Sequence, residues 1–306
     1  MTGESSFEPA YLKLQRSGEL ARRAAAAGER LKDCDLCARY CRMNRLETIK
    51  GAVCRTGKEA VVSSFHAHPG EEDPLRGRRG SGTVFFSWCN LRCLFCQNFD
   101  TSWQGEGIHV TAEQLAAMML ELQQQGCHNI NFVSPSHVVA QILEALVLAA
   151  GAGLSLPLVY NTGGYDSPEA LALLDGVIDI YMPDAKYGDS NNAKKYSKVP
   201  DYTQVNQAAI REMHRQVGDL VLDGEGIAQS GLLVRHLVLP GGLAGTQEVL
   251  RFLAEEISRR TYLNLMSQYR PCYRADERPE LDRRPSASEF RQAHDLARSH
   301  GLERLD

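Results

Sequence analysis

Residues 83–98 read TVFFSWCNLRCLFCQN, a short run of β-branched and aromatic residues that breaks into a loop carrying Cys89, Cys93 and Cys96. By composition the run from Thr83 to Ser87 is a strand. The CxxxCxxC spacing then sets three thiols on one short loop directly after it. Three thiolates so placed can bind three irons of a cubane and leave the fourth iron open to a small molecule. A zinc ion completed by a distant fourth ligand is the other use of the same pattern.

Outward from this loop, five more strand-like runs follow: Asn129 to Val133, Leu158 to Asn161, Val177 to Tyr181, Leu233 to Leu239 and Tyr262 to Met266. Helical stretches separate them, which is the alternation of a parallel α/β protein. The clearest helix is Thr111 to Gln125, opened by Thr111 and Gln114 at capping-box spacing and stopped by Gly126. Six units predict a partial (β/α)6 barrel at 83–306, preceded at 1–82 by a helix and a small cysteine-rich metal-binding segment. In such barrels the active site lies at the C-terminal ends of the strands, so the residues after each run are the candidates. Residues 7–31, with Leu12, Leu20 and Leu31 among charges, predict one amphipathic helix. The polar stretch Gly188 to Tyr202 reads as an exposed loop near the barrel mouth.

Nine cysteines occur in the 306 residues, and seven of them fall in two tight sets, Cys127 and Cys272 standing apart. An odd number argues against a disulfide framework, and tight spacing favours metal ligands in a reducing compartment. The other set, Cys34, Cys37, Cys41 and Cys54, offers four thiolates within 21 residues, with Gly51 allowing a turn before the last. Such a closed site suits either structural zinc or a second iron–sulfur cluster. The loop-rich segment buries little apolar surface, so a metal is expected to help it fold.

The net charge of -4 and pI near 6.2 give no basic surplus for nucleic acid or an anionic membrane. Met1 to Leu31 has no apolar core of signal-peptide length, and no stretch approaches a membrane span. A cytoplasmic enzyme is the expectation.

The cysteine loop, with Phe95 just before its last thiol, closely resembles the signature of the radical S-adenosylmethionine (radical SAM) superfamily. The strings GSGTVFFSWCNLRCLFCQN, NINFVSPSH, LVYNTGGY, VIDIYMPDAKY, RHLVLPGG and LNLMSQYRP extend the likeness over nearly the whole chain. They are similar to the pyruvate formate-lyase activating enzyme-like group, with an added N-terminal four-cysteine segment. The resemblance implies a [4Fe-4S] cluster whose open iron is chelated by S-adenosylmethionine. One electron then splits the sulfonium into methionine and a 5'-deoxyadenosyl radical, which abstracts hydrogen from a substrate.

Carried over residue by residue, the resemblance places Asp184, Lys186 and Arg235 near the cofactor's charged groups, and Phe95 where a ring can stack on adenine. The physical reading agrees, because the cofactor's carboxylate, ammonium and sulfonium call for opposite charges. A mutual surface ion pair is the alternative for Asp184 and Lys186. Where activating enzymes commonly carry a Gly-Gly-Glu segment, this chain has Ser134, Pro135, Ser136 and His137, so carbonyls or hydroxyls are expected at the ammonium. His137 and Asn161 are candidates to face cofactor or substrate, with a hydrogen-bonded packing role as the histidine's alternative.

Cys272, after the sixth run, is a candidate hydrogen-atom donor at the mouth or a small half-buried packing residue. Cys127 reads as core. Arg76, Arg78 and Arg79 form a basic run where a flavodoxin or ferredoxin could deliver the electron, or simply a solvated loop. Two enzymatic functions fit: activation of a glycyl radical enzyme, and radical modification of a small molecule or peptide. A non-catalytic metal-binding or redox-sensing protein is the third.

Overall fold

All six runs picked out by composition are strands in the computed structural model, which describes residues 7–306. In chain order the elements are α1 (Ala10–Arg16), α2 (Glu19–Arg30), β1 (Ala60–His68), α3 (Asp73–Arg76), β2 (Ser81–Phe86), β3 (Ile108–Val110), α4 (Ala112–Gln124), β4 (Ile130–Val133), α5 (Val139–Gly151) and β5 (Leu158–Thr162). There follow α6 (Pro168–Leu174), β6 (Ile180–Pro183), α7 (Ser190–Ser197), α8 (Tyr202–Val217), β7 (Val221–Leu222), β8 (Ala228–Leu237), α9 (Thr246–Phe252), β9 (Tyr262–Met266) and α10 (Ala287–Ser299).

Strands β2, β4, β5, β6, β8 and β9 run parallel in that spatial order. This is the partial barrel of six β/α units. Parallel strands covered by helices are buried along their length, and β5 is buried at all five positions. Two antiparallel additions extend the sheet: β1 pairs with β2 and β3 with β1, while β7 pairs with β8. Strand β1 precedes residue 82, and Leu20, Ala27, Leu31 and Leu36 share one apolar core with the barrel.

The capping box at α4 forms as read, with Thr111 Oγ1 accepting from the Gln114 N–H and the Gln114 side chain accepting from the Thr111 N–H. Strand β6 starts three residues later than the apolar run suggests. Val177 and Ile178 still donate their N–H groups to Leu174 O at the end of α6.

Two expectations are corrected. The stretch 7–31 is two helices, because Gly18 takes φ +76 and turns the chain between α1 and α2. Residues 188–202 are not an exposed loop: Asp189 caps α7, whose Ala193, Tyr196 and Ser197 are buried. Polar composition hid a short helix whose polar atoms are used at the cysteine loop. Among the described residues, no helix is long and apolar enough to cross a membrane.

Candidate active site

The loop after β2 is held from three sides. Arg92 and Leu94 donate their N–H groups to Ser197 O and Tyr196 O of α7, and Arg274, beyond β9, donates its N–H to Leu94 O. Trp103 Nε1–H donates to Cys93 O at 3.1 Å. Trp88, just before the first thiol, sits at φ +67, a costly conformation for a bulky residue. A Cβ on Gly105 would fall 2.1 Å from its ring, so only glycine leaves the indole room.

The three thiols form one electrostatic group. Burial, then Cys93 and Cys96, push Cys89 up to about 12. Burial likewise raises Cys93, opposed by the nearby Lys186 ammonium. Their sulfurs already collect polar contacts: Ser197 Oγ donates to Cys93 Sγ at 3.0 Å, Leu91 N–H donates to Cys89 Sγ at 3.4 Å, and Ser102 Oγ lies 3.0 Å from Cys96 Sγ. Donors and a cation around sulfur stabilise thiolates, the form a metal takes. Three thiols on one short loop, with polar donors at their sulfurs and the Lys186 ammonium nearby, are a donor set that fits an iron–sulfur cluster.

The four N-terminal cysteines are also brought together, since Cys54, Cys34 and Cys41 all bear on the buried Cys37, which burial raises most. Strained backbone surrounds them, with Tyr40 at φ +44, Arg42 at φ +51 and Arg55 at φ +48. Arg45, 2% exposed, donates to Thr56 O, to His137 O at 2.8 Å and to Cys34 Sγ at 3.4 Å. Burial works against its charge, yet Cys54 and Cys34 leave it raised. The segment packs on the first loop: Arg39 donates to Asn90 O, and Ala38 shares a core with Leu91, Cys93 and Phe95. The Arg92 guanidinium lies within electrostatic reach of both Cys89 and Cys54.

Beneath the loop a cavity of about 660 Å³ lies between β1–β2 and β9, the two ends of the parallel run. Ser102 and Asn98 line its upper part, Ser134, Asn161 and Arg235 its middle, Glu71 and Glu72 its floor. Arg235 Nε donates to Asp184 Oδ1 at 2.9 Å and Nη2 to Asn161 Oδ1 at 2.6 Å. Lys186 Nζ donates to Asp184 Oδ2. Burial opposes the Asp184 charge, but Arg235 and then Lys186 outweigh it and hold the carboxyl below the usual range.

The structure thus brings together Asn161, Asp184, Lys186 and Arg235. Asp184 and Lys186 do pair, in a largely buried site joined by Arg235 rather than on the surface. Ser134 stands at φ +60 with its N–H on Asn161 O. Phe95 is 5% exposed and meets Tyr187 and Tyr269 edge to face. His137 is buried, with Nε2–H on Ser87 O at 3.0 Å; burial, then Arg45, lower it to about 3, so it stays neutral. Cys127 is core, and Cys272 is half-buried. The basic run is corrected. Arg78 and Arg79 flank the start of β2 beside His128, and Arg76 pairs with Asp73. That end lies about 20 Å of strand from the cysteine loop, too far to serve an electron donor docked there. Sequence reasoning missed Arg45, Glu71, Glu72, Ser102 and Ser197. Glu71 and Glu72 sit in a charged stretch that reads as solvated loop, and only the fold turns them inward.

A sequence profile described as the radical SAM superfamily matches residues 83–224. An uncharacterized protein of Methanocaldococcus jannaschii is 32% identical over 282 residues, covering 89% of this chain and 76% of that protein. Among solved structures, a radical SAM methyltransferase from Sphaerobacter thermophilus superposes with a TM-score of 0.48 at 14% identity, over 73% of this chain and 65% of that one. SuiB from Streptococcus suis, solved with the precursor peptide SuiA, gives 0.46 at 12% identity, over 70% and 44%.

Proposed function

The chain belongs to the radical SAM superfamily, and from that premise we propose that it abstracts hydrogen from a small molecule or peptide entering the barrel cavity. The carrying observation is that Ser102 both touches Cys96 Sγ and lines a cavity continuous with Asn161 and Arg235. Cys89, Cys93 and Cys96 would hold the cluster. The chemistry a bound cluster would supply is one-electron reductive cleavage of S-adenosylmethionine, and through it abstraction of a hydrogen atom from a substrate C–H bond.

The chain's own groups bind and orient. Asp184 presents a carboxylate to cationic groups of the cofactor, and Lys186 and Arg235 present cations to its carboxylate. Ser134 stands where activating enzymes carry a glycine-rich segment, as a left-handed serine in the cavity wall with its N–H on Asn161 O. The aromatic packing of Phe95, Tyr187 and Tyr269 keeps water from beneath the thiols. Activation of a glycyl radical enzyme is the second reading, favoured by the likeness of the strand-end strings.

The four N-terminal cysteines hold a second metal in this proposal, zinc or iron–sulfur. Its support is Arg45, a buried cation whose electrostatic partners are thiols. Arg55, beside Cys54, is exposed; Arg42, beside Cys41, is exposed and paired with Asp33 and Asp35; and Arg39 and Arg92 are partly exposed within the two cysteine segments. An acidic flavodoxin or ferredoxin is proposed to dock there. The proposed function is tested by adding S-adenosylmethionine to the dithionite-reduced, reconstituted protein and recording the electron paramagnetic resonance spectrum. A changed line shape is expected, and an unchanged one contradicts cofactor contact with the cluster. Deuterium transfer from labelled candidates into 5'-deoxyadenosine then identifies the substrate, whereas a radical doublet on a partner enzyme marks the second reading.

A further inference from the structure

Glu72 is 8% exposed, and its two carboxylate oxygens are treated unequally. Oε1 accepts from Asn264 Nδ2 at 3.1 Å and stands 3.7 Å from Arg235 Nη1. Oε2 is buried and accepts from no amide, hydroxyl or cationic donor among the described residues, so the protonated Glu71 carboxyl is the hydrogen-bonding neighbour of this side chain, lost when Glu71 ionises. A buried acceptor left unpaired costs about 1–3 kcal/mol, more when charged. Arg235 gives it no hydrogen bond: Nε–H goes to Asp184 and one Nη2–H to Asn161, while Nη1 stands 3.7 Å from Oε1, an ion pair at long range.

Glu71 stands beside it on the same cavity floor. Burial, reinforced by Glu72 and opposed by Arg235, pushes its carboxyl up to about 7. The groups facing this pair are Arg235 from β8, Asn131 from β4, Asn264 from β9, His66 and His68 from β1, and Asp73 and Asp306 at the rim. His68 is lowered by burial, then by His66, so it brings no charge at neutral pH. Counting Asp184, Glu71 and Glu72 against Arg235 and Lys186, the cluster is neutral with Glu71 protonated and carries one negative charge with it ionised. With Glu71 ionised, one cation is missing. The His66 ring lies stacked on Phe85 at 5.5 Å, a flat wall of the kind along which an alkylammonium or guanidinium group packs.

We propose that this floor binds a cationic nitrogen of the substrate, an alkylammonium or guanidinium group, between Glu72 and Glu71. The inference rests on the reading of the cavity as the substrate chamber. S-Adenosylmethionine, though itself cationic, would be held at a cluster on the loop after β2, whereas Glu71 and Glu72 lie in the β1–β2 connection before its start, which leaves the floor to a second molecule. The cation comes either from a free amine or from a lysine or arginine side chain of a peptide.

The test is calorimetric titration of the reconstituted protein saturated with S-adenosylmethionine. The probes are putrescine, agmatine, and acetyl-capped lysine and arginine tripeptides, with norleucine tripeptide as the neutral control. At least one cationic probe is expected to bind, norleucine to fail, and Glu72→Gln to weaken binding at least about tenfold. Because a proton leaves Glu71 as the cation enters, affinity should rise between pH 6 and 8, by up to about tenfold, with proton release. Preference for the diamines or for the peptides identifies the source. Failure of every cationic probe, equal binding of norleucine, equal binding to Glu72→Gln, or loss of binding when S-adenosylmethionine is added would each overturn the proposal. The comparison of probes on the unsubstituted protein stands even if Glu72→Gln does not fold. The radical reading is judged separately, by 5'-deoxyadenosine formation in the unsubstituted protein without any probe.

Discussion

Replacing Cys93 with alanine is expected to lower 5'-deoxyadenosine formation by at least about 10³-fold, because three ligands on one loop leave no spare donor for the third iron. Cys93 is the most enclosed of the three thiols: Ser197 donates to its sulfur, Lys186 lies close, and Trp103 fixes its carbonyl. Loss of its thiol leaves a site that cannot close on the cluster. The matched control is Cys127→Ala, which removes an equally buried cysteine from the apolar core between β2 and α4. That change should keep the product and cost only about 1 kcal/mol of stability. Product quantified by chromatography in both variants checks the contrast. Undiminished product from Cys93→Ala would remove the loop from the reaction.

The second large effect is expected at Arg45. Arg45→Met keeps the length of the side chain and removes its charge. It orphans the carbonyls of Thr56 and His137 and leaves the four-cysteine set without its buried cation. Breaking a buried charge arrangement from one side costs about 3–5 kcal/mol, which for a chain of this size lowers Tm by roughly 10 °C. Metal bound by Cys34, Cys37, Cys41 and Cys54 should fall with it, and Arg45→Lys should recover part of both. Thermal melts and metal analysis provide the check. An Arg45→Met protein with unaltered Tm and metal content would show that the set carries no buried negative charge.

The legible part of the chain was the part governed by local pattern. Period and composition marked β2, β4, β5, β6, β8 and β9, and Thr111 and Gln114 marked a helix start, because these signals are written within a few residues. The family resemblance carried by the cysteine loop and the strand-end strings implied Asp184, Lys186 and Arg235, and Asn161 was a strand-end candidate; the fold gathers the four around one another. What could not be read depends on tertiary partners. Ser197 belongs to a polar stretch that becomes a helix only against the cysteine loop. Glu71 and Glu72 look like solvated charges until β1 and α3 fold them into the cavity. Arg45 is one arginine among several until the chain around Cys34 and Cys54 closes on it. Gly18 breaks a helix that its neighbours' amphipathic pattern would continue, a choice made by packing of α2 on α5 rather than by propensity.

The most direct test of the account is to reconstitute the unsubstituted protein anaerobically with iron and sulfide, reduce it with dithionite, add S-adenosylmethionine, and measure both products. The account predicts methionine and 5'-deoxyadenosine in equal amounts, formed only when cluster and reductant are both present. A fully loaded, reduced protein that yields neither product would contradict it.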